Sequence, residues 1–279
     1  MTASALAIVL FAAALHAGWN ALLKAVPDRA AILAAVAFAH VLIGLVLVGH
    51  GAPPAPASWP SLIISTLVHY GYYLLLYHAY THGDLSQVYP ISRGMAPALV
   101  SLGAVVLIGE TLPAQGWLGL AMVSGGICLL AVQRGAVKAP AATIGIALAL
   151  GCLIAIYSVA DGIGVRRSDS PMGYIGWLFV LEAPVPACIA LARWRGGGRF
   201  ALRVVLAGLA GGIAAAAAYG LVLYVKTFAP LGAVSAVRES SVVLAALIGV
   251  FWFGERPARG RLLAAAIVAT GIVALASGG

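Results

Sequence analysis

The chain has 279 residues, of which 63% are hydrophobic and 9% are charged, and its formal net charge is +8. Soluble proteins carry roughly 25% charged residues, so this composition excludes a water-soluble protein. The basic residues fall mainly in short segments between apolar runs and form no stripe with interleaved aromatic residues, which argues against nucleic-acid binding. The sequence therefore predicts an all-α membrane protein whose surroundings are a lipid bilayer.

Ten apolar runs are each long enough to span a bilayer, which requires about 20 residues. In chain order they cover residues 2–23, 30–49, 61–81, 85–109, 115–133, 142–161, 172–192, 202–226, 231–253 and 260–277. We expect ten transmembrane helices in two domains of five, residues 1–138 and 139–279. Because five is an odd number, the second half must insert upside down relative to the first, which predicts two inverted five-helix repeats.

The first run and its counterpart in the second half, the sixth run, both carry polar side chains. Those of the first run share one helical face by their spacing and are His16, Trp19, Asn20 and Lys24. Those of the sixth run are Tyr157, Ser158 and Asp161. Facing first helices of two inverted halves should line a central cavity. For Lys24 and Asp161, which lie near helix ends, we favour snorkelling to the membrane surface.

A stripe of tyrosines marks the third run. Its members lie three or four residues apart on one helical face and are Tyr70, Tyr73, Tyr77 and Tyr80. An aromatic wall with polar tips suits a cavity for an amphipathic solute. The alternative is a face packed on lipid or on a neighbouring helix. We favour the cavity, because phenol groups inside a membrane need hydrogen-bond partners.

An arginine lies inside the fourth run. Arg93 is surrounded by apolar sequence, and an arginine near mid-membrane costs at least ~2.5–3.5 kcal/mol. It must therefore meet water, a carboxylate or backbone carbonyls. Two interpretations remain open: an anchor that binds a substrate carboxylate through two hydrogen bonds, or a structural clamp on loop carbonyls.

The ninth run repeats this arrangement. Arg238 precedes a Gly-Glu pair by the same distance as Arg93 does, so the two arginines are expected to be symmetry partners. Glu239 could neutralise Arg238, although adjacent helical residues point about 100° apart. Tyr89 and Tyr219 are further candidates for the cavity wall.

The remaining polar residues give weaker signals. Glu182 in the seventh run, beside two prolines, is expected to be either a proton site or the partner of an arginine. All six histidines lie in the first half; ordinary hydrogen-bonded histidines are favoured over a proton-coupled step. We expect no metal site, no cofactor and no disulfide, because neither the histidines nor the three cysteines have a suitable spacing.

Small residues recur every four positions in the eighth run and predict close helix packing; they are Gly208, Gly212, Ala216 and Gly220.

Three motifs together resemble the drug/metabolite transporter superfamily of the EamA type. They are GWNALLK at 18–24, YPISRG at 89–94 with GET at 109–111, and APLG at 229–232 with RESS at 238–241 and GER at 254–256. The resemblance covers nearly the whole chain. It implies a basket of ten helices with a central cavity lined by helices 1, 3, 4, 6, 8 and 9. It also implies a bacterial inner-membrane exporter, with aromatic and large apolar amino acids as the best candidate substrates.

The orientation in the membrane stays open. Basic residues of the loops after odd-numbered helices outnumber those of the other side by eleven to three, the three being Arg166, Arg167 and Lys226. The positive-inside rule then places both termini outside the cytoplasm, whereas the resemblance implies termini inside it.

We expect a transporter that acts by alternating access, binds a small-molecule substrate and works as a monomer. The candidate binding residues are His16, Trp19, Asn20, Tyr73, Tyr77, Tyr89, Arg93, Tyr157, Tyr219, Arg238 and Glu239. One alternative is an importer, or an exporter of cationic drugs, in which Glu239, Asp161 and aromatic faces bind a cation. An intramembrane enzyme is a distant alternative, because the chain contains neither GxSxG nor HExxH. A purely structural membrane subunit is equally distant.

Overall fold

The computed structural model describes residues 1–24, 26–82, 85–133, 135, 139–251 and 258–277. These residues form α-helices and one short 3-10 turn, and they contain no strand. The helices are α1 Ala3–Lys24, α2 Arg29–His50, α3 Trp59–His82, α4 Leu85–Ile108, α5 Ala114–Gln133, α6 Ala141–Arg166, α7 Pro171–Val180, α8 Pro184–Arg195, α9 Leu202–Lys226, α10 Leu231–Glu239, α11 Ser241–Phe251 and α12 Ala258–Ser277.

These helices are those of a multi-pass membrane protein. Within the described ranges, nine stretches are long and apolar enough to cross a bilayer. The one predicted span that is missing from these nine is the third, which forms α3. It has 24 residues, but its tyrosines and histidines lower its mean hydropathy. Each of the ten predicted runs thus contains a helix.

Two of the predicted spans are broken, although continuous helices were expected. The seventh divides into α7 and α8 at a three-residue turn, Leu181 to Ala183, which Pro184 follows. A proline has no backbone N–H and disfavours helix in the residue before it. The ninth divides into α10 and α11 at Ser240, directly after Glu239. Non-helical backbone at membrane depth persists where protein surrounds it, and Ser240 is buried.

Helix contacts place α1, α4, α6, α9 and α10 around one polar interior. α4 packs against α6, α5 and α10, while α1 packs against α9, α10 and α11. α3 lies along α6, and α2 lies along α9 and the α7–α8 span. α5 and α12 form a pair with each other. At that pair a Cβ on Gly119 would lie 2.6 Å from the carbonyl oxygen of Gly271, so the two backbones touch.

The small residues of α9 allow close approach to α2, as predicted. A Cβ on Gly208 would lie 2.4 Å from the Cβ of Ala35, and one on Gly212 would lie 2.6 Å from the Cβ of Ala39. Lipid supplies no hydrophobic force between helices, so this contact depends on van der Waals packing of small residues.

We expect Gly212→Ala to destabilise the protein and Gly211→Ala to leave it unchanged. An added methyl at Gly212 also lies 2.8 Å from the carbonyl oxygen of Val36, and moving this backbone atom away requires a shift of the helix. At Gly211 the nearest atom lies 3.6 Å away, an ordinary contact. Overpacking of this kind costs about 1–3 kcal/mol. Thermal unfolding of the two purified variants in the same detergent provides the measurement, and equal midpoints would contradict the packing argument.

The Gly-Glu pair that follows α4 has a structural role. Gly109 ends the helix with φ +66°, a left-handed conformation that favours glycine. Glu110 then accepts a hydrogen bond from the N–H of Leu231 at the start of α10, at 2.5 Å, and one from Arg166 at 2.8 Å. Arg166 also donates to the carbonyls of Lys226 and Ala229. The end of α4 is therefore tied to the start of α10. Gly254 and Glu255, the repeat of this pair, lie outside the described residues.

Candidate functional site

Two arginines from the two halves share one buried carboxylate. Arg93 on α4 donates from Nη1 to Oε1 and Oε2 of Glu239 at 3.1 and 3.3 Å. Nη1 of Arg238 lies 3.9 Å from the same Oε1, too far for a hydrogen bond. All three side chains are buried. Glu239 therefore pairs with the arginine of the opposite half rather than mainly with its neighbour Arg238.

Each of these arginines lies over a tyrosine ring. The guanidinium of Arg93 is 5.2 Å from the ring centroid of Tyr89, one turn earlier on α4. The guanidinium of Arg238 is 5.3 Å from the ring centroid of Tyr219 on α9. A cation over a ring face is attracted by the ring quadrupole, and the attraction grows when water is excluded.

The polar face of α1 reaches this cluster. Nε1 of Trp19 donates to Nδ1 of His16 at 3.2 Å, and the Tyr89 hydroxyl lies 3.5 Å from Nε2 of His16. Asn20 donates to the carbonyl of His16 at 2.7 Å, within the helix. His16, Trp19 and Tyr89 are thus brought together, and Asn20 lies beside them. The side chain of Lys24 lies outside the described part of the chain.

An aromatic group lies next to Arg238. Tyr157 on α6 stacks on His69 with ring centroids 4.2 Å apart, and it meets Tyr72 at 6.0 Å and Tyr219 at 6.3 Å, both edge-on. Tyr157 and Tyr219 were predicted for the cavity wall. Tyr72 and His69 of α3 were not, although both of their rings contact that of Tyr157.

The polar ends of α6 and α9 are buried, and here two expectations were wrong. Asp161 does not snorkel: it accepts hydrogen bonds from the hydroxyls of Tyr174, at 3.0 Å, and of Tyr219. Lys226 is not a loop charge, because its Nζ is fully buried and donates to the carbonyl and hydroxyl oxygens of Ser158, both at 2.8 Å. Buried hydrogen bonds replace water for both groups. Because Lys226 no longer counts among the loop cations, the excess of basic residues on the other side of the membrane is larger than the sequence indicated.

The two described tyrosines of the α3 stripe, Tyr70 and Tyr73, contact the break in the seventh span. Tyr70 donates to the carbonyl of Leu181, and Tyr73 donates to Oε2 of Glu182 at 3.4 Å. Among the described residues Glu182 is not paired with an arginine, one of its two predicted roles; its Oε2 lies 2.8 Å from Nδ1 of His40 on α2. Tyr73 therefore contacts Glu182 directly, and its ring centroid lies 6.0 Å from that of Tyr72. The side chain of Tyr77 lies outside the described residues.

An apolar groove lies apart from the polar cluster formed by Arg93, Arg238, Glu239 and the rings around them. It has a volume of about 410 Å³ and is lined by residues of α2, α8, α9 and the segments just before α8 and α9, among them Phe38, Pro186 and Phe200. None of the predicted binding residues lines it. Every side chain in its lining is apolar, so we do not assign the groove to the polar site.

Among the described residues no three side chains of His, Cys, Asp or Glu lie close enough together to hold a metal ion. The cysteines, Cys128, Cys152 and Cys188, are separate and free. The chemistry that the polar cluster offers is hydrogen bonding, charge and ring contact: two guanidiniums, one carboxylate and several aromatic faces.

Comparison with known proteins gives the fold alone. No family model and no curated protein matches the chain. One solved structure, described only as "Crystal structure of protein", aligns with a TM-score of 0.74 at 20% identity. The alignment covers 99% of this chain and 98% of that one. The helix arrangement therefore occurs in another protein over its full length.

Proposed function

We propose that this protein is a transporter of the EamA type in the bacterial inner membrane, and that it exports small metabolites bearing a carboxylate. Aromatic and large apolar amino acids are the best candidates. The observation that carries the proposal is the pair of buried guanidiniums, Arg93 and Arg238, that share Glu239 beside a group of aromatic rings.

The charge of this group favours an anionic substrate group. A guanidinium stays protonated in proteins, so Arg93, Arg238 and Glu239 together carry one excess positive charge. Arg93 takes both carboxylate oxygens, while Arg238 makes no hydrogen bond to any side chain that the structure describes. A substrate carboxylate could bind Arg238 through two hydrogen bonds. The same feature disfavours cationic drugs, because Glu239 and Asp161 are already engaged.

The rings beside Arg238 suit the apolar part of such a substrate. Tyr219 extends from the arginine to Tyr157 and His69. Aromatic pairs prefer edge-on or offset contact, and a ring-bearing side chain could join this group in the same way. Several weak contacts of this kind give broad rather than narrow specificity.

The pattern of helix contacts supports inverted repeats. With five spans per half, α1 corresponds to α6, α3 to α9, and α4 to the α10–α11 span. α1 packs on α9 as α6 packs on α3, and α4 packs on α6 as α10 and α11 pack on α1. The broken ninth span adds a further feature of transporters, whose binding sites use discontinuous helices near mid-membrane.

Unequal packing at the two ends supports alternating access. Near the starts of α2 and α9 the helices touch, and Asp28 and Arg193 join through two hydrogen bonds of 3.0 and 2.5 Å. Those bonds lower the pKa of the Asp28 carboxyl. The corresponding contact of α3 with α7 is slight and includes Trp59 on Trp177, at 5.3 Å. The bundle is thus closed more tightly at the Asp28 end.

Efflux from proteoliposomes tests the proposal. Vesicles loaded with radiolabelled phenylalanine, leucine, glutamate or tetraphenylphosphonium are diluted, and the loss of label is followed. We expect saturable efflux of phenylalanine and leucine, unchanged in Arg195→Gln, whose arginine is exposed at the end of α8. Efflux of tetraphenylphosphonium alone would favour the cation exporter. A folded protein that moves none of the four solutes would contradict the proposal.

A further inference from the structure

A second buried ionisable pair lies away from the arginines. Nδ1 of His40 on α2 is 2.8 Å from Oε2 of Glu182, and both side chains are buried. Glu182 occupies the middle of the turn between α7 and α8. The contact therefore joins one helix of the first half to the break in a span of the second half.

The pair lies near the middle of the membrane. His40 is about ten residues from either end of α2, Arg29–His50, which corresponds to roughly 15–16 Å at 1.5 Å per residue. Glu182 is likewise central in the span Pro171–Arg195. An ionised carboxylate at this depth is costly unless a partner compensates its charge. Ionisable groups at such positions mark ion paths and proton relays.

Among the described residues, one hydrogen-bond donor other than His40 reaches Glu182, and no lysine or arginine lies within ion-pair distance of it. Tyr73 of α3 donates to the same Oε2, and Tyr70 is engaged by the carbonyl of Leu181. Phe179 of α7 stacks on the His40 ring with centroids 5.0 Å apart. On α9 the adjacent contact is Gly212 against Ala39, which carries no charge.

One ring nitrogen of His40 is buried without a partner. Nε2 has no hydrogen-bond partner within the part of the chain that the structure describes. If the neutral ring donates from Nδ1 to Glu182, Nε2 keeps its lone pair and can accept a proton. The pair with that proton is neutral overall. Without it, the pair carries one net negative charge, and Tyr73 is the one donor from outside the pair, among the described residues, that bonds the carboxylate.

We propose that His40 and Glu182 form the proton-binding site that couples transport to the proton gradient, an inference that rests on the proposed transport function. With the proton bound, the neutral pair holds α2 against the turn between α7 and α8. When the proton leaves to water, the uncompensated carboxylate favours a state in which water reaches the turn. Proton binding and release at this pair are then linked to movement of the two halves, which couples movement of the substrate to the proton gradient.

Two measurements in proteoliposomes separate coupling from transport itself. Exchange of labelled for unlabelled substrate at equal pH on both sides needs binding and movement but no net proton transfer. Accumulation driven by a pH difference needs the proton site. We expect Glu182→Gln, which removes the charge of the carboxylate, to keep exchange and to lose gradient-driven accumulation at least tenfold. His50→Gln is the matched control, because His50 is exposed at the end of α2 and bonds only the carbonyl of Val46 among described residues.

Retained exchange shows that the variants fold. Gradient-driven accumulation in Glu182→Gln equal to that of wild type would overturn the proposed proton site while leaving the transport function intact. Absence of exchange in folded wild type would instead contradict the transport function. Infrared difference spectra after a pH step then test the site alone: an imidazole band present in wild type and lost in His40→Gln supports it, and a His40→Gln spectrum identical to that of wild type overturns it.

Discussion

Glu239→Gln will leave much less folded protein than wild type. The substitution keeps the shape of the side chain but removes the carboxylate that Arg93 bonds at 3.1 and 3.3 Å and that Arg238 approaches at 3.9 Å. Two buried guanidiniums then face each other without a counter-charge. Removal of one partner from a buried ion pair costs about 3–5 kcal/mol, because the other charge stays buried and uncompensated. Membrane abundance and thermal unfolding in detergent measure this loss.

The double variant Arg93→Gln with Glu239→Gln provides the decisive comparison. It removes one positive and one negative charge together, so we expect most of the stability to return. Asp28→Asn is the control for loss of a carboxylate, because the Asp28–Arg193 pair is partly exposed and such pairs contribute little. A single variant as stable as wild type, or a double variant no better than the single, would contradict the argument.

The double variant also separates the two interpretations of Arg93 that the sequence left open. If it still transports, Arg93 and Glu239 act as a clamp between the halves and Arg238 binds the substrate. The clamp on loop carbonyls that was considered for Arg93 exists at another residue, Arg166, which donates to the carbonyls of Lys226 and Ala229.

The helices were predictable from the sequence, and their breaks were less so. Each span is an apolar run of the length that a bilayer requires, so composition alone located all ten. The break after Val180 had a local signal in Pro184 and Pro186. The break at Ser240 had only a cluster of polar residues, since neither proline nor glycine marks it.

Partners within the polar interior could not be predicted, because helical periodicity assigns faces but not neighbours. The sequence placed Tyr70 and Tyr73 on one face, yet only the packing of α3 shows that this face meets the α7–α8 turn. Tyr72, the residue directly before Tyr73, faces Tyr157 instead. Likewise, the position of Asp161 near a helix end suggested an exposed side chain. In the fold Asp161 is buried, because Tyr174 and Tyr219 from two other helices donate hydrogen bonds to it.

Arg238→Gln is expected to fold normally and to lose transport of carboxylate-bearing substrates. Glu239 keeps Arg93 as its hydrogen-bonded partner in this variant, so the remaining pair is neutral. The substrate carboxylate loses a charged hydrogen-bond donor, a contribution of about 1.5–3 kcal/mol, which corresponds to a ~10- to ~150-fold lower apparent affinity. Initial rates of efflux from proteoliposomes over a range of phenylalanine concentrations give this change.

The methyl ester of the same amino acid tests whether the lost contact is the carboxylate. It keeps the aromatic ring and the amine but lacks the negative charge, so wild type and Arg238→Gln should move it with similar affinity. Arg238→Lys should recover part of the affinity for phenylalanine, because lysine restores the charge but not the planar pair of donors. Equal affinity of wild type and Arg238→Gln for phenylalanine would show that Arg238 does not bind the substrate carboxylate, and Arg93 would then be the remaining anchor.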